Sequence, residues 1–149
     1  MFSGRFDHAI DDKGRVSIPA RFRDVLAREE HDRVFITNAF YNRERCLDVY
    51  PPVAWDQLLA KVATRNRFDP SIQKFETFYI GGAHEVLVDR QGRVLVPTRL
   101  REFAGLAREV TFSAQRDHFQ LWDKPVLEGV LRANEAELQD PAFYEKLGL

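Results

Sequence analysis

The segment from Asp11 to Arg23, DDKGRVSIPARFR, returns in near copy from Asp89 to Arg101 as DRQGRVLVPTRLR. A shift of 78 positions pairs Asp11 with Asp89, Gly14 with Gly92, Arg15 with Arg93 and Val16 with Val94. It also pairs Pro19 with Pro97, Arg21 with Arg99 and Arg23 with Arg101, seven identities in thirteen positions. Ile18/Val96 and Phe22/Leu100 are conservative matches. Chance does not produce such a repeat, and a repeated unit this small has to bury its apolar face against a neighbour.

Each copy reads as strand, tight turn, strand and short helix. FDHAI and RVSI flank Asp-Asp-Lys-Gly; HEVLV and RVLV flank Asp-Arg-Gln-Gly. A glycine closing a short polar loop between apolar strands predicts a hairpin whose last loop residue has positive φ. Asp11 and Asp89 are placed to accept hydrogen bonds from the loop amides and so fix each turn. Pro19 and Pro97 then open a helix, since proline at a first helical position forfeits no needed donor. Phe22, Val25 and Leu26, and equally Leu100, Phe103 and Ala104, fall on one apolar helical face, with Gly105 as a stop. Arg21, Arg23, Arg99 and Arg101 point away from that face.

The correspondence extends to VFIT from Val34 and VTFS from Val110, then to LDVYP from Leu47 and FQLWD from Phe119, with six extra residues in the first copy. Amphipathic helices follow both: Trp55, Leu58, Leu59 and Val62 stripe the first, Leu127, Val130, Leu131 and Leu138 the second. DPSIQKFETFYI adds a helix capped by Asp69 with Pro70 in first position. The organisation is thus a first repeat (1–52), connecting helices (53–79), a second repeat (80–124), and a C-terminal amphipathic helix and tail (125–149). Units of about fifty residues rarely hold enough core alone, which predicts one core shared by two copies related by an internal pseudo-two-fold.

Charge distribution carries the functional signal. Lys13, Arg15, Arg21 and Arg23 are the only charges from 13 to 23, and Arg90, Arg93, Arg99 and Arg101 the only ones from 90 to 101. Those eight leave −9 on the remainder of a chain whose net charge is −1. Basic charge is therefore concentrated in the repeated segments, a local pattern the overall balance conceals. Read alone, one Asp-x-x-x-Arg is a salt bridge stapling a turn and one basic cluster a solvated polar face; repetition at matched positions weakens that reading in favour of an anionic partner without removing it.

Other chemistries find little support. His8, His31, His84 and His118 form no H-x-x-x-H or H-E-x-x-H pattern, and Cys46 is the sole cysteine. Cys46 lies in an apolar, strand-like stretch and reads as a small core residue. No glycine pattern matches a phosphate-binding loop, and Gly81-Gly82 reads as a turn. No metal, cofactor, catalytic residue or small-molecule substrate is expected. An apolar run near the roughly 18 residues that span a bilayer is absent, as is an export-like N-terminal segment, and a single cysteine fits a reducing cytoplasm.

Taken together, MFSG at the start, the motifs Asp11/Arg15 and Asp89/Arg93, IPARFR, CLDVYP followed by Trp55 and Leu58, GRVLVP and LREFAGL identify a resemblance covering Met1 to about Trp122. The chain resembles the MraZ family of transcriptional regulators of bacterial division and cell-wall gene clusters, built from two SpoVT–AbrB-type motifs. It departs in the loop SAQRDHF, which lacks an expected glycine and has Ala114 and Arg116 where small residues are usual. The resemblance implies a mainly β fold with peripheral helices: a double-split, swapped-hairpin β-barrel from two βα repeats. It implies no enzyme, but a nucleoid-associated protein assembling into a ring-shaped homo-oligomer on double-stranded promoter DNA with short direct repeats upstream of its own gene cluster.

On that reading Arg15 and Arg93 reach base edges, since arginine pairs bidentately with guanine. Lys13, Arg90, Arg21 and Arg99 contact phosphate, while Asp11, Asp89, Gly14 and Gly92 fix the turns. Arg23 and Arg101 rank lower as contacts. The alternative is an antitoxin-like or scaffolding module of the same fold, acting through a tail that carries Phe143, Tyr144 and Leu147.

Overall fold

Val34 and Ile36, Leu47 and Val49, Val110 and Phe112, and Phe119 and Leu121 are each two residues apart and all buried. Side chains alternate across a strand, so these four segments share one apolar face and form the centre of a sheet. A computed structural model describes residues 1–149. In chain order it has β1 (Arg5–Ala9), β2 (Arg15–Ser17), α1 (Ala20–Arg28), β3 (Arg33–Tyr41), β4 (Glu44–Tyr50), α2 (Pro52–Ala63) and α3 (Pro70–Phe75). A π-helical turn, Glu76–Ile80, leads into β5 (His84–Leu87), β6 (Arg93–Leu95), α4 (Thr98–Ala104), β7 (Glu109–Ala114), β8 (Phe119–Asp123), α5 (Lys124–Leu138) and α6 (Pro141–Leu147).

Six strands form an antiparallel sheet in the order β1-β7-β8-β4-β3-β5, and β2 and β6 form a separate antiparallel ribbon. The sheet is open, with β1 and β5 at its edges. Each edge strand is joined to the other repeat: β1 pairs with β7 and β5 with β3. The expected hairpins therefore differ in one respect. Both turns close, yet the strands on either side of each turn diverge, β1 into the sheet and β2 into the ribbon. Ile10 N donates to Arg108 O at 2.8 Å and Val88 N to Asp32 O at 2.9 Å, so backbone groups just before each turn are satisfied by the opposite repeat.

One face of the sheet meets the ribbon, α1 and α4. There 19 buried residues from both repeats form one cluster, including Val16, Ile18, Phe22 and Leu26 with Val94, Val96, Leu100 and Ala104. Phe22 sits at its centre, with ring centroids 5.3 Å from Phe2, 5.3 Å from Phe6 and 4.7 Å from Phe119. The other face is covered by α2, α5 and the π-helical turn, where Trp55, Tyr79, Trp122, Leu127, Val130 and Cys46 are buried. Burial also pushes the Cys46 thiol well above its ordinary range, so it is inert packing.

Local signals set the helix ends. Asp69 Oδ1 accepts from Ser71 N at 2.8 Å and caps α3, with Pro70 first in the helix. Gly105 ends α4 at φ +63°. Pro19 and Pro97 stand one position earlier than expected, as the N-caps of α1 and α4, where their carbonyls accept from Arg23 N at 2.9 Å and Arg101 N at 3.0 Å. No helix is long and apolar enough to cross a membrane.

Candidate nucleic-acid interface

Each Asp-x-x-x-Arg turn is built by the same bonds. Asp11 Oδ1 accepts from Lys13 N at 3.0 Å and Arg15 N at 2.8 Å, and Oδ2 accepts from Arg15 Nε at 2.8 Å. Asp89 Oδ1 accepts from Gln91 N and Arg93 N, both at 2.9 Å, and Oδ2 from Arg93 Nε at 3.1 Å. Gly14 N donates back to Asp11 O at 3.0 Å and Gly92 N to Asp89 O at 2.9 Å. That geometry requires φ of +93° at Gly14 and +77° at Gly92, a region that suits glycine.

The amide of Arg15, reinforced by its guanidinium, holds the Asp11 carboxyl below its ordinary range; Arg93 does the same for Asp89. The carboxylates are thus charged at neutral pH and engage Nε of each arginine. The terminal nitrogens of Arg15 and Arg93 make no bond to the protein, and the side chains are 40% and 35% exposed. A guanidinium tethered through Nε with both terminal nitrogens unbonded can donate as a planar pair, the arrangement that phosphate and guanine accept.

The ribbon brings the two turns together. Arg15 lies opposite Leu95, Val16 opposite Val94, and Ser17 opposite Arg93. Val16 and Val94 are buried inward, so Arg15, Ser17, Arg93 and Leu95 share the outward face. Ile18 N donates to Gly92 O and Val96 N to Gly14 O, both at 2.9 Å, carrying the cross-repeat pairing up to the turn glycines.

The remaining basic residues divide. Lys13, Arg90 and Arg21 are exposed. Arg99 is directed onto the protein itself, with Nη1 donating to Asn38 Oδ1 at 3.2 Å and Nη2 to Gly82 O at 2.8 Å. Arg23 and Arg101 are half-buried, each against the turn of the opposite repeat, a contact no local pattern announces. Leu95, 54% exposed beside Arg15, is also part of the outward face and was not a candidate from sequence. The bonding pattern of Asp11 and Asp89 was legible, because it depends on residues within the turn.

Comparison with known proteins agrees with this architecture. The family described as "MraZ protein, putative antitoxin-like" matches residues 1–78 and again 79–143. The transcriptional regulator MraZ of Roseiflexus castenholzii is 38% identical over 147 residues, 99% of this chain and 96% of the relative. Its counterpart in Thermomicrobium roseum is 40% identical over 122 residues, 82% of this chain and 81% of that one. That of Acetivibrio thermocellus is 38% identical over 124 residues, 83% and 82% respectively. By name these relatives are transcriptional regulators. Two family matches in tandem, on the two halves that each carry one Asp-x-x-x-Arg turn, make this chain a member of the MraZ family.

Proposed function

We propose that this protein is a DNA-binding transcriptional regulator that reads short direct repeats in the promoter of its own division and cell-wall gene cluster. The observation that carries the reading is the common outward face of β2 and β6, where two tethered arginines stand together. Arg15 and Arg93 contact base edges; Lys13, Arg90 and Arg21 contact phosphate, and Arg99, exposed but tethered to Asn38 and Gly82, joins them through its remaining donors. A pseudo-two-fold relating the repeats in a split-barrel arrangement is supported by strand order, which is unchanged when β1, β7 and β8 are exchanged for β5, β3 and β4.

One subunit offers few contacts, so its own affinity is low and steeply salt-dependent. Assembly into a ring on tandem sites raises avidity by about 10²–10⁴ when spacing allows simultaneous engagement. Apolar side chains left exposed support assembly: Phe40 is 56% and Phe78 38% exposed, adjoining Phe103 at centroid distances of 5.6 Å and 5.9 Å.

The test is a fluorescence-anisotropy titration with DNA from upstream of the protein's own gene, comparing intact with scrambled repeats across a salt series. Preference for intact repeats, lost in Arg15→Ala and in Arg93→Ala, is the expected result. Equal, salt-fragile binding to both DNAs would reduce the arginines to phosphate contacts. That outcome would favour the second reading, an antitoxin-like module, for which α6 is the relevant surface: Asp140 caps it through Ala142 N at 2.9 Å, and none of its residues is buried.

A further inference from the structure

Arg23 and Arg101 cross from the helix of one repeat to the turn of the other. A methyl group on Gly14 would come within 2.5 Å of Arg101 Nε and 2.7 Å of its Cζ. One on Gly92 would overlap Arg23 Cδ and lie 2.5 Å from Nη1. The glycines are thus needed twice, for positive φ and for the absence of a Cβ beneath an arginine. Arg23 Nη1 lies 3.4 Å from Gln91 O, a weak bond inside the second turn. Arg101 is held by Val96 O, which accepts from Nε at 3.1 Å, and by Thr98 Oγ1, which accepts from Nη2 at 3.0 Å.

Neither arginine has a carboxylate partner within salt-bridge distance, unlike Arg15 and Arg93. Arg23 Nε is buried without any hydrogen-bond partner. Covering a guanidinium nitrogen in this way is costly, and a solvated arginine recruited only for its charge would not incur that cost. What the placement does achieve is mechanical. The last peptide of each turn is fixed on one side by a trans strand, through Gly14 O to Val96 N and Gly92 O to Ile18 N. The trans arginine covers its other side.

We propose that Arg23 and Arg101 are positioning residues that clamp the Asp-x-x-x-Arg turn of the opposite repeat, Arg23 setting the orientation of Arg93 and Arg101 that of Arg15. The inference deepens the DNA-reading function proposed above and rests on it for its consequence, although the clamp itself is a property of the free protein. It ties each reading turn to the helix of the other half, so that neither turn tilts without disturbing that helix.

Amide hydrogen exchange on the free protein tests the clamp without DNA. Arg23→Ala is expected to speed exchange about tenfold at Gln91, Gly92 and Arg93 while sparing Lys13, Gly14 and Arg15. Arg101→Ala is expected to do the reverse. Arg23→Met and Arg101→Met, which keep the apolar stem, serve where the alanine variants fail to fold. Unchanged exchange in the opposite turn, or equal changes in both turns, overturns the proposal.

Promoter titrations across a salt series then separate positioning from direct contact. A positioning residue lowers affinity without altering the salt slope, and Arg23→Ala is non-additive with Arg93→Ala but additive with Arg15→Ala. A slope shallower by about 0.9, the value of one released phosphate contact, with unchanged exchange would make Arg23 a phosphate ligand and overturn the clamp. Faster exchange in the opposite turn, combined with no effect of Arg15→Ala on DNA, would leave the clamp standing and remove the DNA reading.

Discussion

Val16 and Val94 face each other directly at the middle of the β2–β6 ribbon, and both are buried. This contact joins the repeats at the point midway between the two turns, on the side opposite Arg15 and Arg93. Truncating either valine to alanine is expected to cost about 1.5–3 kcal/mol, from the two lost methyl groups and the cavity they leave. Because each loses its contact to the same partner, the double variant is expected to fall short of the sum by about 0.5 kcal/mol or more. Urea unfolding of both singles and the double checks this; strict additivity would mean the two side chains do not support each other.

What the sequence discloses depends on how far each interaction reaches. Asp11, Gly14 and Arg15 complete their bonds within five residues, so the turn could be read from the spacing of donors and acceptors. Phe22, Val25 and Leu26 declare a helical face by periodicity alone. Strand partners are different: β1 and β2 are too short to specify a ladder, and packing across both repeats decides that β1 joins β7 and β2 joins β6. Arg23 and Arg101 show the same limit. Their periodicity removes them from the buried stripe, but nothing local says that a glycine in the other repeat leaves room beneath them.

Arg116 is a place where sequence and geometry meet. The loop between β7 and β8 lacks the small residue expected there, and Arg116 adopts φ +72°. Its carbonyl accepts from Phe2 N at 2.6 Å, so the conformation also ties down the N-terminal segment. A non-glycine residue in the left-handed region costs about 1–2 kcal/mol, partly offset on substitution by the greater freedom glycine has when unfolded. Arg116→Gly is expected to stabilise the protein by about 0.5–1 kcal/mol, and Arg116→Val to destabilise it. Thermal unfolding of the pair reads both signs.

His118 gives stability a pH dependence of definite sign. Its ring stacks on Tyr50 at 4.4 Å, Nδ1 lies 2.7 Å from Asp117 Oδ1, and Nε2 lies 3.7 Å from Asp48 Oδ1. Burial pushes the imidazole pKa down, but the hydrogen bond to Asp117 and the nearby Asp48 carboxylate together outweigh it and leave the pKa above the ordinary 6.5. A raised folded pKa contributes stability that is complete below that ordinary value and lost as pH rises through the folded one. His8 shifts the other way, through burial and then the nearby Arg23 charge, so its contribution is lost as pH falls through its depressed folded pKa. Unfolding free energy is therefore expected to decline above about pH 6.5, and His118→Gln to flatten that decline. A slope unaltered by the substitution would assign the dependence to other groups.

The outward face of the ribbon is not chemically symmetric. Arg15 has Leu95 as its cross-strand neighbour and Arg93 has Ser17, although Ser17 and Leu95 occupy corresponding positions in the two repeats. A reader with two identical halves favours palindromic sites, whereas direct repeats call for halves that differ. If Arg15 holds a guanine as proposed, Leu95, 54% exposed, can bury a thymine methyl beside it. One buried methyl contributes about 0.8 kcal/mol, roughly fourfold in affinity. Replacing thymine by uracil at the adjoining position is expected to weaken the native protein about fourfold and to leave Leu95→Ser unaffected. If Leu95→Ser instead loses the same affinity for thymine and uracil probes, the leucine supports the ribbon or the assembly, and the asymmetry of reading must come from the turns, where Asp12 and Arg90, and Lys13 and Gln91, are the corresponding residues that differ.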